Sequence, residues 1–102
     1  MFVTLERAVR LEWDEAKARS NIAKHGVSFT LAEEVWDDPF HLIFADRIVD
    51  GEQRWHATGL VGGLKLLVVV HTYVGKDNED RVRIIGARRA TKQERRYYED
   101  DT

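Results

Sequence analysis

The chain has 102 residues, 43% hydrophobic and 33% charged, which is enough for one hydrophobic core but not for two. It contains no cysteine, excluding disulfides and thiolate metal sites, and charged residues break every apolar run well short of a membrane span. The formal net charge is −2, yet seven of the sixteen Lys and Arg fall within residues 81–96, where Glu94 is the only acid, and so sharp a segregation points to a surface built to meet an anion.

Residues 1–10 read as an N-terminal extension or edge segment, and 11–102 as a single domain. The first ten residues hold two arginines and a glutamate and lack the apolar stretch of a signal peptide, so a cytoplasmic protein is expected. A short strand fits residues 9–13. Asp14 is a suitable N-cap for a helix over Glu15–His25, and Gly26 suits the left-handed position that ends it. Ser28 can cap a second helix carrying Phe29, Ala32, Val35 and Trp36 along one face, stopped by Asp37, Asp38 and Pro39. Strands are expected at 42–45, 54–61, 64–73 and 81–88, with Gly62-Gly63 as a hairpin turn and 77–80 as a longer polar connection. Thr91 and Glu94 have capping-box spacing for a last helix. The order β-α-α-β-β-β-β-α predicts a two-layer α+β domain with a mainly antiparallel sheet, one face under helices and the other at least partly open.

A two-residue turn at Gly62-Gly63 pairs Val61 with Leu64. One face of that hairpin then carries Trp55, Ala57, Gly59 and Val61 against Leu64, Leu66, Val68 and Val70, all apolar or small. The polar face sets Arg54 opposite His71 and His56 opposite Val69. With the last strand beside the third and Val82 and Ile84 on the core face, Arg83 comes near His71. Arg88 falls by parity on the core side, but at the strand end, where the chain can turn outward. The expectation is a shallow anionic site ringed by Arg54, His71, Arg83 and Arg88.

Such a ring suits RNA cleavage without a metal ion. Arginine stays charged and matches phosphate oxygens in pairs, while histidine exchanges protons near neutral pH. His25, His41, His56 and His71 show no ligand spacing on a shared helix face, and Asp37-Asp38 reads as a helix stop, so neither metal nor cofactor is expected. Trp13, Trp36 and Trp55 read as core residues. The competing function is a non-catalytic protein-binding module whose basic C-terminal strand and helix capture an acidic partner.

The run Leu11-Glu12-Trp13-Asp14-Glu15-Ala16-Lys17, then Asn21 and Lys24-His25-Gly26-Val27-Ser28-Phe29, resembles the opening signature of the BrnT family of bacterial type II toxins. The resemblance continues through Asp37-Asp38-Pro39, Arg54-Trp55, Gly59 and Leu67-Val68-Val69-Val70-His71-Thr72, and closes with Arg83-Ile84-Ile85-Gly86-Ala87-Arg88-Arg89-Ala90-Thr91, Glu94 and Tyr98. It implies a RelE-like ribonuclease fold and a toxin that inhibits translation by cutting RNA without a metal. It also implies neutralisation by a BrnA-like ribbon-helix-helix antitoxin, through which alone DNA would be contacted. Arg54, Arg83, Arg88 and Arg89 carry over as basic functional positions, and His71 matches a frequent family position. The combined reading expects His71 to transfer the proton and Lys24 and Arg89 to contact the RNA backbone. Two departures stand out: Tyr73-Val74 where the family often has Glu-Arg, and Gly86 where it often has serine.

Overall fold

The computed structural model describes residues 9–75 and 80–101, so most of the expected N-terminal segment and of the polar connection at 77–80 lies outside the described residues. The elements are β1 (Arg10–Trp13), α1 (Glu15–His25), α2 (Phe29–Ala32) continued by a 3-10 turn at Glu33–Asp37, β2 (Leu42–Val49), β3 (Glu52–Val61), β4 (Lys65–Tyr73), β5 (Arg81–Arg89) and α3 (Lys92–Asp101). They build the α+β fold expected, with a five-stranded sheet in the order β1-β5-β4-β3-β2. Among the described residues only the β1–β5 pairing is parallel. Among the described residues no helix is long and apolar enough to cross a membrane.

The helix ends follow the capping chemistry. The Asp14 carboxylate accepts from the Lys17 N–H at 3.0 Å, and the Ser28 hydroxyl accepts from the Leu31 N–H at 3.0 Å. Gly26 takes φ 68°, and its N–H closes on the Ile22 carbonyl at 2.8 Å. Thr91 and Glu94 form the reciprocal box, at 3.1 and 2.8 Å.

One face of the sheet buries Ala57, Val61, Leu67, Val69, Ile84 and Ala87 against Ala18, Val27, Phe29, Ala32 and Val35 of the helical layer. The approach is closest at Gly59, where an added Cβ would lie 2.8 Å from Val35 Cγ1 and 3.0 Å from the Val35 carbonyl. The strand pairing of β1 reaches only Ile84 on β5. Beyond it Asn21 acts as a one-residue strand. Its amide donates to the Ala87 carbonyl at 2.8 Å and accepts from the Ala87 N–H at 3.0 Å, and it also donates to the Val27 carbonyl at 2.9 Å.

Three local features differ from expectation. The β3–β4 loop is Gly62, Gly63 and Leu64, so Val61 pairs with Lys65 and Trp55 with His71. Its closing hydrogen bond runs from the Leu64 N–H to the Val61 carbonyl, which keeps Leu64 in the turn with its side chain 86% exposed. That one-residue slip puts His71 on the helix-covered face, away from Arg54. In β5, Val70 pairs with Gly86 but His71 with Ile84, leaving Ile85 as a bulge. The extra residue reverses parity, so Ala87 joins Ile84 in the core and Arg88 joins Arg83 on the open face. Finally, β2 extends to Val49 and turns into β3 through Asp50 and Gly51, both at positive φ (50° and 78°), a two-residue I′ hairpin.

Candidate active site

Three rows of side chains cross the open face. Arg54, Thr72 and Arg83 align on β3, β4 and β5. The next row is His56, Val70 and Gly86, with Phe44 of β2 beside His56, and the third is Thr58, Val68 and Arg88. Strand spacing sets the Arg54 and Arg83 backbones about 10 Å apart, and four residues of β4 separate Arg88 from them by about 13 Å along the strand. His56 sits among the three arginines. Arg54 donates to Glu52 at 3.0 Å, whereas Arg83 is exposed and forms no ion pair among the described residues, Glu12 beside it on β1 being held by Arg81 at 2.8 Å.

His56 is oriented by Asp46, whose Oδ2 lies 3.1 Å from its Nε2. A bulge in β2, between the pairs Ala45–Trp55 and Ile48–Gln53, brings Asp46 there. The Gln53 amide takes up the carbonyls that the bulge loosens, donating to Asp46 O at 2.7 Å and Arg54 O at 2.8 Å. Carboxylate, imidazole and arginines thus share one partly exposed surface.

α3 closes the other end of this face. Arg88 grips Glu94 with both terminal nitrogens, at 2.7 and 3.0 Å. Those hydrogen bonds pull the Glu94 carboxyl down to about 2, against the upward push of burial, and they raise Arg88 above its ordinary value. Near the helix's C-terminal end, Tyr98 donates to Asp38 Oδ2 at 2.6 Å, and the same oxygen takes the Leu60 N–H at 2.7 Å. Burial alone would raise Asp38, but bonds from Leu60, Tyr98 and Phe40 hold it below the usual carboxylate range. Burial, then Asp38, pushes Tyr98 up to about 12. Leu66 and Val68 are buried on this face although the main core lies on the other.

Arg54, Arg83 and Arg88 are brought together; His71 is not. Its side chain is fully buried, edge-on to Trp36 at 5.0 Å and Tyr73 at 5.4 Å, with Tyr73 in turn against Trp55 at 5.6 Å. Nδ1 lies 3.3 Å from the Val69 carbonyl and Nε2 has no partner among the described residues. Burial pulls its pKa down to about 4, so near neutral pH it is an uncharged core side chain. Lys24 is exposed in the last turn of α1, and Arg89 pairs opposite Leu67 on the helix side, so neither belongs to this cluster. The imidazole that faces the arginines is His56. Its signal in the sequence was its place two residues after Arg54 on one strand, which fixes a shared face whatever the turn.

A family model described as the ribonuclease toxin BrnT of a type II toxin–antitoxin system matches residues 13–94. Among solved structures, the ribonuclease toxin BrnT of Brucella abortus is similar to this chain, with 29% sequence identity and a TM-score of 0.62, over 82% of this chain and 99% of that one. No curated protein matches the chain.

Proposed function

The chain belongs to the BrnT family of ribonuclease toxins, and from that premise we propose that the open face of its sheet is the surface that cuts RNA. The observation that carries the assignment is the β5 bulge at Ile85, which turns Arg88 to the same side as Arg83, Arg54 and His56. Arg83, exposed and without an acidic partner among the described residues, and Arg54 receive the scissile phosphate. Arg88 keeps unused N–H groups beyond those on Glu94 and reaches the neighbouring phosphate.

Cleavage proceeds by attack of the ribose 2′-oxygen on the adjacent phosphorus, with loss of the 5′-oxygen and formation of a 2′,3′-cyclic phosphate. His56, aligned by Asp46, takes the 2′-hydroxyl proton. The guanidinium groups stabilise the charge that builds on the phosphorane and on the departing 5′-oxygen, which takes its proton from water to leave as a 5′-hydroxyl, and no metal ion is needed. The partner is a BrnA-like ribbon-helix-helix antitoxin, which would neutralise the toxin by laying acidic side chains over the arginines; DNA is met only through that partner.

The test is cleavage of RNA by purified protein in the presence of a chelator. His56→Ala is expected to slow cleavage roughly 100- to 10,000-fold, the span of one general acid–base group. Arg83→Ala is expected to slow it while changing thermal stability little, since that side chain is exposed and forms no ion pair among the described residues. Wild-type rates in His56→Ala, or cleavage that requires an added divalent ion, would refute the assignment.

A further inference from the structure

Between β2 and α3 the open face sinks into a cavity of about 410 Å³ lined by Phe44, His56, Thr58, Glu94 and Tyr97. That volume lies within the range of small-molecule sites. Phe44 comes from β2, Tyr97 from α3, and His56 and Thr58 from β3 beneath them. Phe44 is 46% and Tyr97 57% exposed, so neither ring serves the core that holds the fold together. Two exposed aromatic rings from separate elements, meeting over a floor that contains His56, need a reason other than stability.

The occupant is constrained by what borders the cavity. Arg88 stands at its Glu94 wall, and Arg54 and Arg83 continue the cationic track along the same face. A ligand following that track carries phosphates at intervals, and the part of it entering an aromatic-walled cavity must be flat and apolar-faced. A nucleobase on a ribose–phosphate chain meets both requirements. Arg88 and the Thr91 N–H already fill the acceptor positions of Oε1 and one of Oε2 on the ionised Glu94 carboxylate, which leaves an acceptor on Oε2 and no donor. That carboxylate therefore favours a base edge with an amino donor (adenine, cytosine or guanine) over uracil, whose single N–H lies between two carbonyls.

We propose that this cavity receives one nucleobase of the RNA strand, stacked on Phe44 and Tyr97, and so selects which nucleotide is presented to His56. The inference rests on the ribonuclease assignment of this face and adds the element of sequence choice. Loss of one stacking ring is expected to weaken substrate binding roughly ten- to a hundred-fold.

The experiment maps cleavage ends in a random-sequence RNA pool, with kcat and KM measured on one preferred oligoribonucleotide. Wild type, Phe44→Ala, Tyr97→Ala and Tyr97→Phe are compared, and a urea titration of each verifies its fold. The expected result is a preference for amino-bearing bases at one position next to the cut. It flattens in both alanine variants, with KM raised at least ten-fold and kcat changed much less, and it returns in Tyr97→Phe. If wild type cleaves and both alanine variants keep its preference and KM, the cavity is not a base site although the ribonuclease assignment stands. If wild type cleaves no RNA, that assignment fails and this inference falls with it. Unchanged cleavage by the alanine variants combined with lost inhibition by the antitoxin would make the cavity a protein-docking site and overturn the proposal.

Discussion

His71 offers the sharpest measurement of whether the face assignments are right. Folding lowers its pKa from 6.5 to about 4, because burial between Trp36 and Tyr73 disfavours the charged ring and His56 and His41 add repulsion. As pH falls, the unfolded chain therefore binds the proton first. The stability this histidine confers is complete above pH 6.5 and is lost toward pH 4. At ~1.4 kcal/mol per unit the whole shift amounts to roughly 3 kcal/mol, of which about 2 kcal/mol disappears between pH 7 and pH 5. Urea unfolding of wild type and His71→Leu across that interval isolates the effect, since carboxylates such as Asp38 and Glu94 titrate alike in both. Wild type should lose about 2 kcal/mol more than the variant. The variant should also cleave RNA at close to the wild-type rate, its orphan Nε2 being gone and the open face untouched. Equal slopes would mean that His71 is not held neutral in the core. Abolished cleavage in a stably folded variant would return it to the active site.

Three further substitutions probe the frame around the site. Gly59→Ala should cost about 1–3 kcal/mol in urea unfolding, because the new methyl meets Val35 backbone at 3.0 Å as well as its side chain at 2.8 Å. Asn21→Asp should cost about 3 kcal/mol or more by thermal melting at pH 7, since a carboxylate cannot donate to the Val27 and Ala87 carbonyls that the amide serves; the penalty should shrink in acid, where the group becomes protonated. Tyr98→Phe should cost about 1–2 kcal/mol by removing the 2.6 Å bond to Asp38, and amide exchange in α3 should accelerate more than in β3 and β4.

Much of this fold was legible in the sequence because the signals were local. Asp14, Ser28 and the Thr91–Glu94 pair cap the helices where their chemistry requires, and Phe29, Ala32 and Val35 mark the face that packs on the sheet. The register of β4 was not legible. Leu66 to Val70 are five consecutive apolar residues, and both faces of the strand are covered, so alternation could not say which set faces the helices. The turn had to decide, and two glycines fit loops of two or three residues equally well. The Asp50-Gly51 pair was readable as an I′ hairpin, but a strand expected to stop at residue 45 never reached it.

The site itself depends on irregularities that periodicity conceals. A regular β5 would place Arg83 and Arg88, five residues apart, on opposite faces, sinking one guanidinium into the core or lifting Ala87 out of it. The bulge at Ile85 resolves that conflict. At the far side of the sheet, the bulge in β2 adds one residue where Asp46 must lie beside His56. Side-chain amides serve the backbone nearby: Gln53 takes up carbonyls at the β2 bulge, and Asn21 occupies the edge of β5 that β1 leaves free beyond Ile84. The two amides thus do for the open face what caps do for helices: they satisfy the backbone where the regular pattern breaks. Replacing either should disturb the alignment of arginine and imidazole before it unfolds the domain.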